Sequence, residues 1–463
     1  MRSPAINSVF WMTGVSALIL FASSILRHEF FQSTAFDLGI FDQAAYLISQ
    51  GKPPISTFMG YHILGDHAAW IWYPLALLYK IYPSVYWLFA VQAIALASGA
   101  LPTWQLARQS GLKESQSIAM AAVYLLYPLI FNVNLFDFHP EVIALPLFLA
   151  AVLAARRNQI RWFCLYIFLI LGCKAVLSFT VAAMGFWLFV FEKRRLHGAI
   201  ALSAGVAWFL IASRVIIPTF SGAEPAAVGR YSYLGNSVPE IAKNIIFQPE
   251  LILGKVFVLS NLEYLVLLLA PVIWGFSLTG IKSLVAAIPC IALNIIADYQ
   301  PQKDLIHQYS LPALPFILLV LISSLAAGKG LIQHKRGIII WSLVGFLCLA
   351  KYTHFFGIYL QSTDTWQATR EAIALVKTQG SVLTTAKIAP HLSHRPSINL
   401  IQDNLPLAKV NIFDYILLNT RHHDLSGNQE LNLKLLEKLK NDPDFQLKYQ
   451  RDDVFLFKKG IEN

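Results

Sequence analysis

The chain has 463 residues, of which 56% are hydrophobic and 13% charged, and its mean hydropathy is +0.55. Soluble domains carry roughly 25% charged residues, so this composition excludes an ordinary globular protein and points to a polytopic α-helical membrane protein. The formal charge of +10 is not a nucleic-acid signal. Its basic residues cluster in short loops, Arg156-Arg157-Asn158-Gln159-Ile160-Arg161, Glu192-Lys193-Arg194-Arg195 and Lys335-Arg336, where the positive-inside rule puts them.

In chain order, the apolar runs predict membrane spans at 9–27, 84–107, 116–136, 141–155, 160–172, 174–191, 198–217, 251–275, 281–297, 309–327 and 337–357, against a need of about 20 residues per crossing. The first run, with Arg2 ahead of it, has the outline of a signal peptide. No small-residue cleavage site follows, so an uncleaved first helix is expected. After it, Phe36-Asp37-Leu38-Gly39-Ile40-Phe41-Asp42-Gln43 has the spacing of a short amphipathic helix at a membrane surface. The run 67–82 is apolar and aromatic but short. If it crossed, the later basic loops would fall opposite Arg2; lying in the interface, it leaves every basic loop on the cytoplasmic side. This predicts about eleven crossings, with the N-terminus inside, the C-terminus outside and 28–83 as a long first external loop.

The four cysteines, Cys164, Cys173, Cys290 and Cys348, lie inside apolar runs without metal-like spacing and are expected to be small core residues. From about residue 360 the composition becomes that of a soluble domain. A helix is expected from Trp366 to Thr378 with Gly380 as its stop. Strands are expected at 381–385, 397–401 and 413–418, then an amphipathic helix from Glu430 to Lys440. A hairpin, 445–449 with 454–458, closes the chain.

Candidate chemistry gathers on the predicted outer face. Asp37 and Asp42 share the first loop with Asp66 and His67. A carboxylate there can act as general base, or can bind a divalent cation, Mg or Mn, with Asp37 and His67 as ligands; otherwise such aspartates are simply solvated. Asp137-Phe138-His139-Pro140-Glu141 places three ionisable groups at a helix start, where a carboxylate such as Glu141 is favourable in any case, so His139 is the stronger candidate. Lys174 interrupts an apolar region, and an intramembrane lysine is a functional hypothesis by default. It either holds a lipid-carrier phosphate, pairs with an external carboxylate or snorkels to the surface. His307 is a weaker substrate-binding candidate, and the pair His422-His423 is expected to be exposed and inert.

The first-loop stretch, Gly65-Asp66-His67, Phe138-His139-Pro140-Glu141 and Pro390-His391-Leu392-Ser393-His394-Arg395-Pro396 occur in that order. Together they resemble a family of uncharacterised bacterial and archaeal predicted membrane proteins grouped with the GT-C glycosyltransferase superfamily. The resemblance covers nearly the whole chain. It implies a multi-helix membrane fold, an active site on the outer face, an acidic first-loop residue matching Asp37, and polyprenyl-phosphate sugars as donors. One departure is that the family often continues the central lysine into acidic residues, whereas Lys174 is followed by Ala175-Val176.

The expectation is therefore a GT-C-like transmembrane domain over 1–359 with interfacial helices, and an extracytoplasmic α/β domain over 360–463, in a bacterial cytoplasmic membrane. The function expected is sugar transfer from a lipid-linked donor, among membrane lipids. Asp37, Asp42 and His139 are the catalytic candidates, and Lys174, His67, Glu141, Asp137 and His307 the substrate-binding ones. The alternative is a transporter or flippase of lipid-linked precursors, which needs ionisable residues along a midplane path; apart from Lys174 the sequence offers few.

Overall fold

The computed structural model describes residues 4–402, 407–422 and 429–460. They divide into two compact units. A helical unit comprises Met1–Ser23, Leu64–Ile71 and Phe89–Lys351, and a mixed unit comprises Ser24–Ile63, Trp72–Leu88 and Tyr352–Asn463.

Among the described residues, five helices are long and apolar enough to cross a membrane: Ile6–Glu29, Tyr86–Gln109, Glu114–Asn134, Arg195–Ser221 and Gln308–Ala326. Two bent pairs raise the number to seven, Pro249–Val256 with Leu259–Gly275 at 64° and Lys335–Leu349 with Lys351–Leu360 at 43°. The remaining expected spans are shorter helices, such as Glu141–Arg156, Ile160–Cys173 and Leu177–Val190. The stretch 281–297 breaks into a 3₁₀ turn, Ile281–Ala286, and a helix, Ile288–Ile296, with Pro289 in its first turn. Proline lacks the N–H that would continue the ladder from the preceding turn. Composition marks the apolar runs, but not the breaks inside them.

Small residues let the helices of this unit approach closely. A Cβ added at Gly185 would stand 2.3 Å from the Leu202 backbone nitrogen, and one at Gly198 would stand 2.6 Å from that of Phe189. These two glycines set the contact between Leu177–Val190 and Arg195–Ile211. Deeper in the unit a chain of amides and hydroxyls is satisfied internally, as buried polar groups must be. Gln302 donates to Asn294 at 3.2 Å, and Asn294 donates to the Tyr264 hydroxyl at 2.9 Å.

The mixed unit holds all seven described strands. β1 (Ile55–Ser56) and β2 (Tyr61–His62) form a small hairpin. β3 (Val382–Thr384), β4 (Ile398–Leu400), β5 (Tyr415–Asn419), β6 (Phe445–Arg451) and β7 (Val454–Lys459) form one sheet in the order β4-β3-β5-β7-β6. β3 pairs parallel with β4 and β5, with Val382 opposite Ile398 and Tyr415, while β7 runs antiparallel to β5 and β6. Alternate residues of a strand face opposite sides, and here both sides are covered. Tyr415 and Leu417 pack with Ala368 and Ala372 of the helix Trp366–Ala374. Ile416 and Leu418 pack with Leu435, Leu436 and Leu439 of the helix Gln429–Asn441.

The expected surface helix of the first loop forms at Ile40–Ser49, but eight of its ten residues are buried. Its polar residues find partners from the tail, and Ala35 joins the core beneath β3. Short-range spacing cannot anticipate a cover that comes from residues near 390.

Candidate functional site

In the helical unit, the segment after the short helix Leu64–His67 lies against the turn that ends Ile160–Cys173. Ile71 N–H donates to the Gly172 carbonyl at 3.0 Å, and Ala175 N–H donates to the His67 carbonyl at 2.9 Å. Only glycine fits at 172, because a Cβ there would stand 2.3 Å from the Trp70 ring. This contact fixes His67 beside the turn carrying Lys174, which leaves helical geometry at φ −165° and ψ 139°.

Lys174 is 8% exposed and donates from Nζ to Glu141 Oε1 at 2.6 Å. Of the three N–H donors of an ammonium group, that contact uses one. Glu141 Oε2 is buried with no hydrogen-bond partner among the described residues, which is a costly state for a carboxylate oxygen. Lys174 also lies 6.0 Å from the centre of the Tyr309 ring, and the Arg230 guanidinium sits over Tyr309 at 4.9 Å and Tyr299 at 4.6 Å. Arg230 further donates to Gln302 Oε1 at 3.1 Å. His67, which lies outside the spans, is held well below the usual histidine pKa. Burial does most of this, and the positive charges of Lys174, Arg230 and His139 add to it. Cationic groups thus gather around one half-buried imidazole.

His139 and His307 are joined through one ring. Phe136 stacks on His139 at 5.2 Å and meets His307 edge-on at 4.2 Å. His307 Nδ1 is also 2.8 Å from Asp304 Oδ2. Asp137, buried and at φ 124°, brings its carbonyl within 3.3 Å of His139 Nδ1. The structure therefore brings His67 and Lys174 together, links Lys174 to Glu141, and places His139, Asp137 and His307 in a second cluster of the same unit. Arg230 was not legible in the sequence, where it is one basic residue in a long loop.

Asp37 and Asp42 belong to the mixed unit. Asp37 is half-buried, with φ 82° and ψ −90°, inside the kinked turn Ala35–Gly39 that precedes Ile40–Ser49. Asp42 is 1% exposed. Its Oδ1 accepts from the Tyr79 hydroxyl at 2.6 Å, its Oδ2 accepts from the Ser393 hydroxyl, and His394 Nε2 lies 3.0 Å from each oxygen. The His394 ring stacks on Tyr46 at 4.8 Å. In the tail, His422 contacts Asp364 at 2.6 Å, and His423 lies outside the described residues. Among the described residues no three His, Cys, Asp or Glu side chains group so as to hold a metal ion.

Residues 27–456 match a family described as predicted membrane protein, DUF2079. No curated protein matches the chain in sequence. Among solved structures, the fold is similar to that of ArnT from Cupriavidus metallidurans bound to undecaprenyl phosphate, with a TM-score of 0.53, 11% identity and 98% of each chain covered. The apo state of that protein aligns with a TM-score of 0.48 and 12% identity over 98% of each chain. At such identity the likeness is one of fold, and the fold is the GT-C type that the sequence motifs led us to expect.

Proposed function

The chain belongs to the DUF2079 family of predicted membrane proteins, and we propose that it is a membrane glycosyltransferase. In this reading it moves a sugar from a polyprenyl-phosphate donor to an acceptor on the outer face of the cytoplasmic membrane. The observation that carries the proposal is the gathering of Lys174, Arg230 and His67 in the helical unit, with two tyrosine faces beneath the guanidinium. Negative charge grows on the phosphate as the sugar leaves, and the fixed cations Lys174 and Arg230 stabilise that charge without reorganising, with the neutral His67 ring left to hydrogen-bond. Lys174 keeps two donors for it. The GT-C fold supports the reading, as does the undecaprenyl phosphate in the similar ArnT structure.

In the transfer, the acceptor oxygen forms a bond to the anomeric carbon and the bond from that carbon to the phosphate oxygen breaks. Polyprenyl phosphate departs, and the acceptor proton passes to the Asp37 carboxylate. In the mixed unit Asp42 holds the helix behind Asp37; in the helical unit Glu141 holds Lys174, and Asp137, His139 and His307 are the further candidates for contacting substrate. The test is sugar transfer from a polyprenyl-phosphate donor in membranes carrying the wild type, Asp37→Asn or Arg230→Gln. Asp37→Asn should lower turnover by about 10²-fold or more. Arg230→Gln should raise the donor KM by about tenfold, the loss of one charged hydrogen-bonding partner. Unchanged turnover in Asp37→Asn would remove Asp37 from catalysis, and an unchanged KM in Arg230→Gln would remove the phosphate site.

A further inference from the structure

We infer that the tail segment 386–395 is a clamp that fixes Asp37, with Ser393 and His394 acting as positioning residues through Asp42. The inference rests on the role proposed for Asp37. It starts from a conformation: φ 82° with ψ −90° is a region that a residue with a Cβ seldom occupies, and it persists only where the surroundings over-determine it.

The tail supplies that determination on both sides. Upstream, Ala35 N–H donates to the Ala386 carbonyl at 2.8 Å. Downstream, Asp42 receives Ser393 and His394 together with Tyr79. The next residue, Gln43, is fully buried. Its Nε2 donates to the Arg395 carbonyl at 3.1 Å, and its Oε1 accepts from Ser56 at 3.0 Å and from Thr57 N–H at 2.9 Å. Asp37 therefore sits in a short bridge whose two ends are tied to one tail segment.

That segment is itself rigid. Arg395, 5% exposed, donates to the Leu392 carbonyl at 2.6 Å and to the Gly380 carbonyl at 2.7 Å, while Ala389 and Leu392 lie in the core under the sheet. The donors to Asp42 thus stand on a fixed base rather than on a loose loop. A reacting group displaced by about 1 Å can lose about 10²-fold in rate, so the clamp acts on turnover rather than on donor affinity.

The test uses the full-length protein in detergent, with sugar transfer and backbone hydrogen exchange measured on the same samples. His394→Leu removes one donor to Asp42, Ser393→Ala removes another, and His394→Gln retains an N–H. His394→Leu should lower turnover about tenfold with the donor KM unchanged, and exchange over 36–41 should quicken while β3 and β5 stay protected. Ser393→Ala should shift both readouts in the same direction by less, and His394→Gln should restore most of both. A loss of turnover without faster exchange over 36–41 would overturn the clamp, as would faster exchange with turnover intact. If His394→Leu also deprotects β3 and β5, the milder Ser393→Ala decides by the same two readouts. Full turnover in Asp37→Asn would sink the parent reading and the clamp together, whereas loss there with intact Ser393 and His394 variants would sink the clamp alone.

Discussion

Two buried carboxylates, one in each unit, are treated in opposite ways. Asp42 is 1% exposed and takes donors from Tyr79, Ser393 and His394, so both its oxygens are engaged. Glu141 is 4% exposed, has Lys174 on one oxygen and leaves the other bare. A saturated carboxylate is a joint: every lone pair that can be lost ties two segments together. Under the proposed function, a half-satisfied one beside an ammonium group with donors to spare shares its cation with an arriving anion. On that reading the mixed unit is built to hold, and the helical unit to exchange.

The largest effect should come from cutting the half-satisfied pair. Lys174→Met leaves a buried carboxylate unpaired, a loss of about 3–5 kcal/mol in such sites, readable as a lower thermal midpoint in detergent. Adding Glu141→Leu should recover most of it, since an apolar pair of similar volume replaces the ions. A Lys174→Met protein as stable as the wild type would mean that Glu141 carries no buried charge, and the contrast would collapse. Asp42→Asn should cost about 2 kcal/mol, because charge-assisted hydrogen bonds are replaced by a neutral amide that turns an N–H towards other donors. Hydrogen exchange in β3 and β5 should register that loss before any change appears in the helical unit.

How much of this was legible in the sequence depends on the range of the interaction. The strands expected at 397–401, 413–418 and 454–458 are present as β4, β5 and β7, and the helix expected from Glu430 is Gln429–Asn441. Period-two alternation and amphipathic spacing are local signals, and they survive into the fold. The helix from Trp366 ends at Ala374, ahead of the expected Thr378, because no spacing rule marks where tertiary packing releases a last turn. Lys174 was legible as a costly cation, but its partner Glu141 stands 33 positions away, and Ser393 stands 351 from Asp42. Pairings at that separation leave no periodicity. Tyr79, Arg230 and Ser393 are unremarkable in their own neighbourhoods and acquire meaning only when the chain folds back.

The two units should also differ in how they respond to pH. Burial presses His391 down to about 4, and its ring stacks on His28 at 3.9 Å. Burial also works against charge on His394, but the Asp42 carboxylate and the hydrogen bond to it outweigh that, and its pKa is raised; Arg395 opposes the rise. A group whose folded pKa is depressed destabilises the fold as pH falls, so His391 withdraws stability between about 6.5 and its own value. A histidine whose folded pKa is raised contributes fully below about 6.5 and loses that contribution as pH climbs through the folded value. The mixed unit should therefore weaken on both sides of a maximum. In the helical unit, His67 adds a weakening on the acid side only, since its pKa is lowered. Limited proteolysis of the tail after heating at a series of pH values should give a peaked profile, and His394→Gln should flatten its alkaline limb. A tail profile whose alkaline limb is unchanged in that variant would remove the charge from the Asp42 joint.

The smallest effect separates burial from the number of partners. Arg421 has as well connected a set as Asp42: its Nε donates to Asp453 at 2.9 Å, and a terminal N–H donates to Asp364 at 3.0 Å, which also meets His422. Yet the side chains of Arg421, Asp364 and Asp453 are 41%, 46% and 52% exposed. Water competes for each of these groups and screens the pairs, so Arg421→Ala should cost less than about 1 kcal/mol and leave sugar transfer unchanged. Unfolding midpoints of Arg421→Ala and Asp42→Asn in the same detergent make the comparison direct. If the two lose equal stability, the number of donors governs the mixed unit and burial does not. Asp42 would then be one ion-pair centre among several rather than the joint on which the first loop depends.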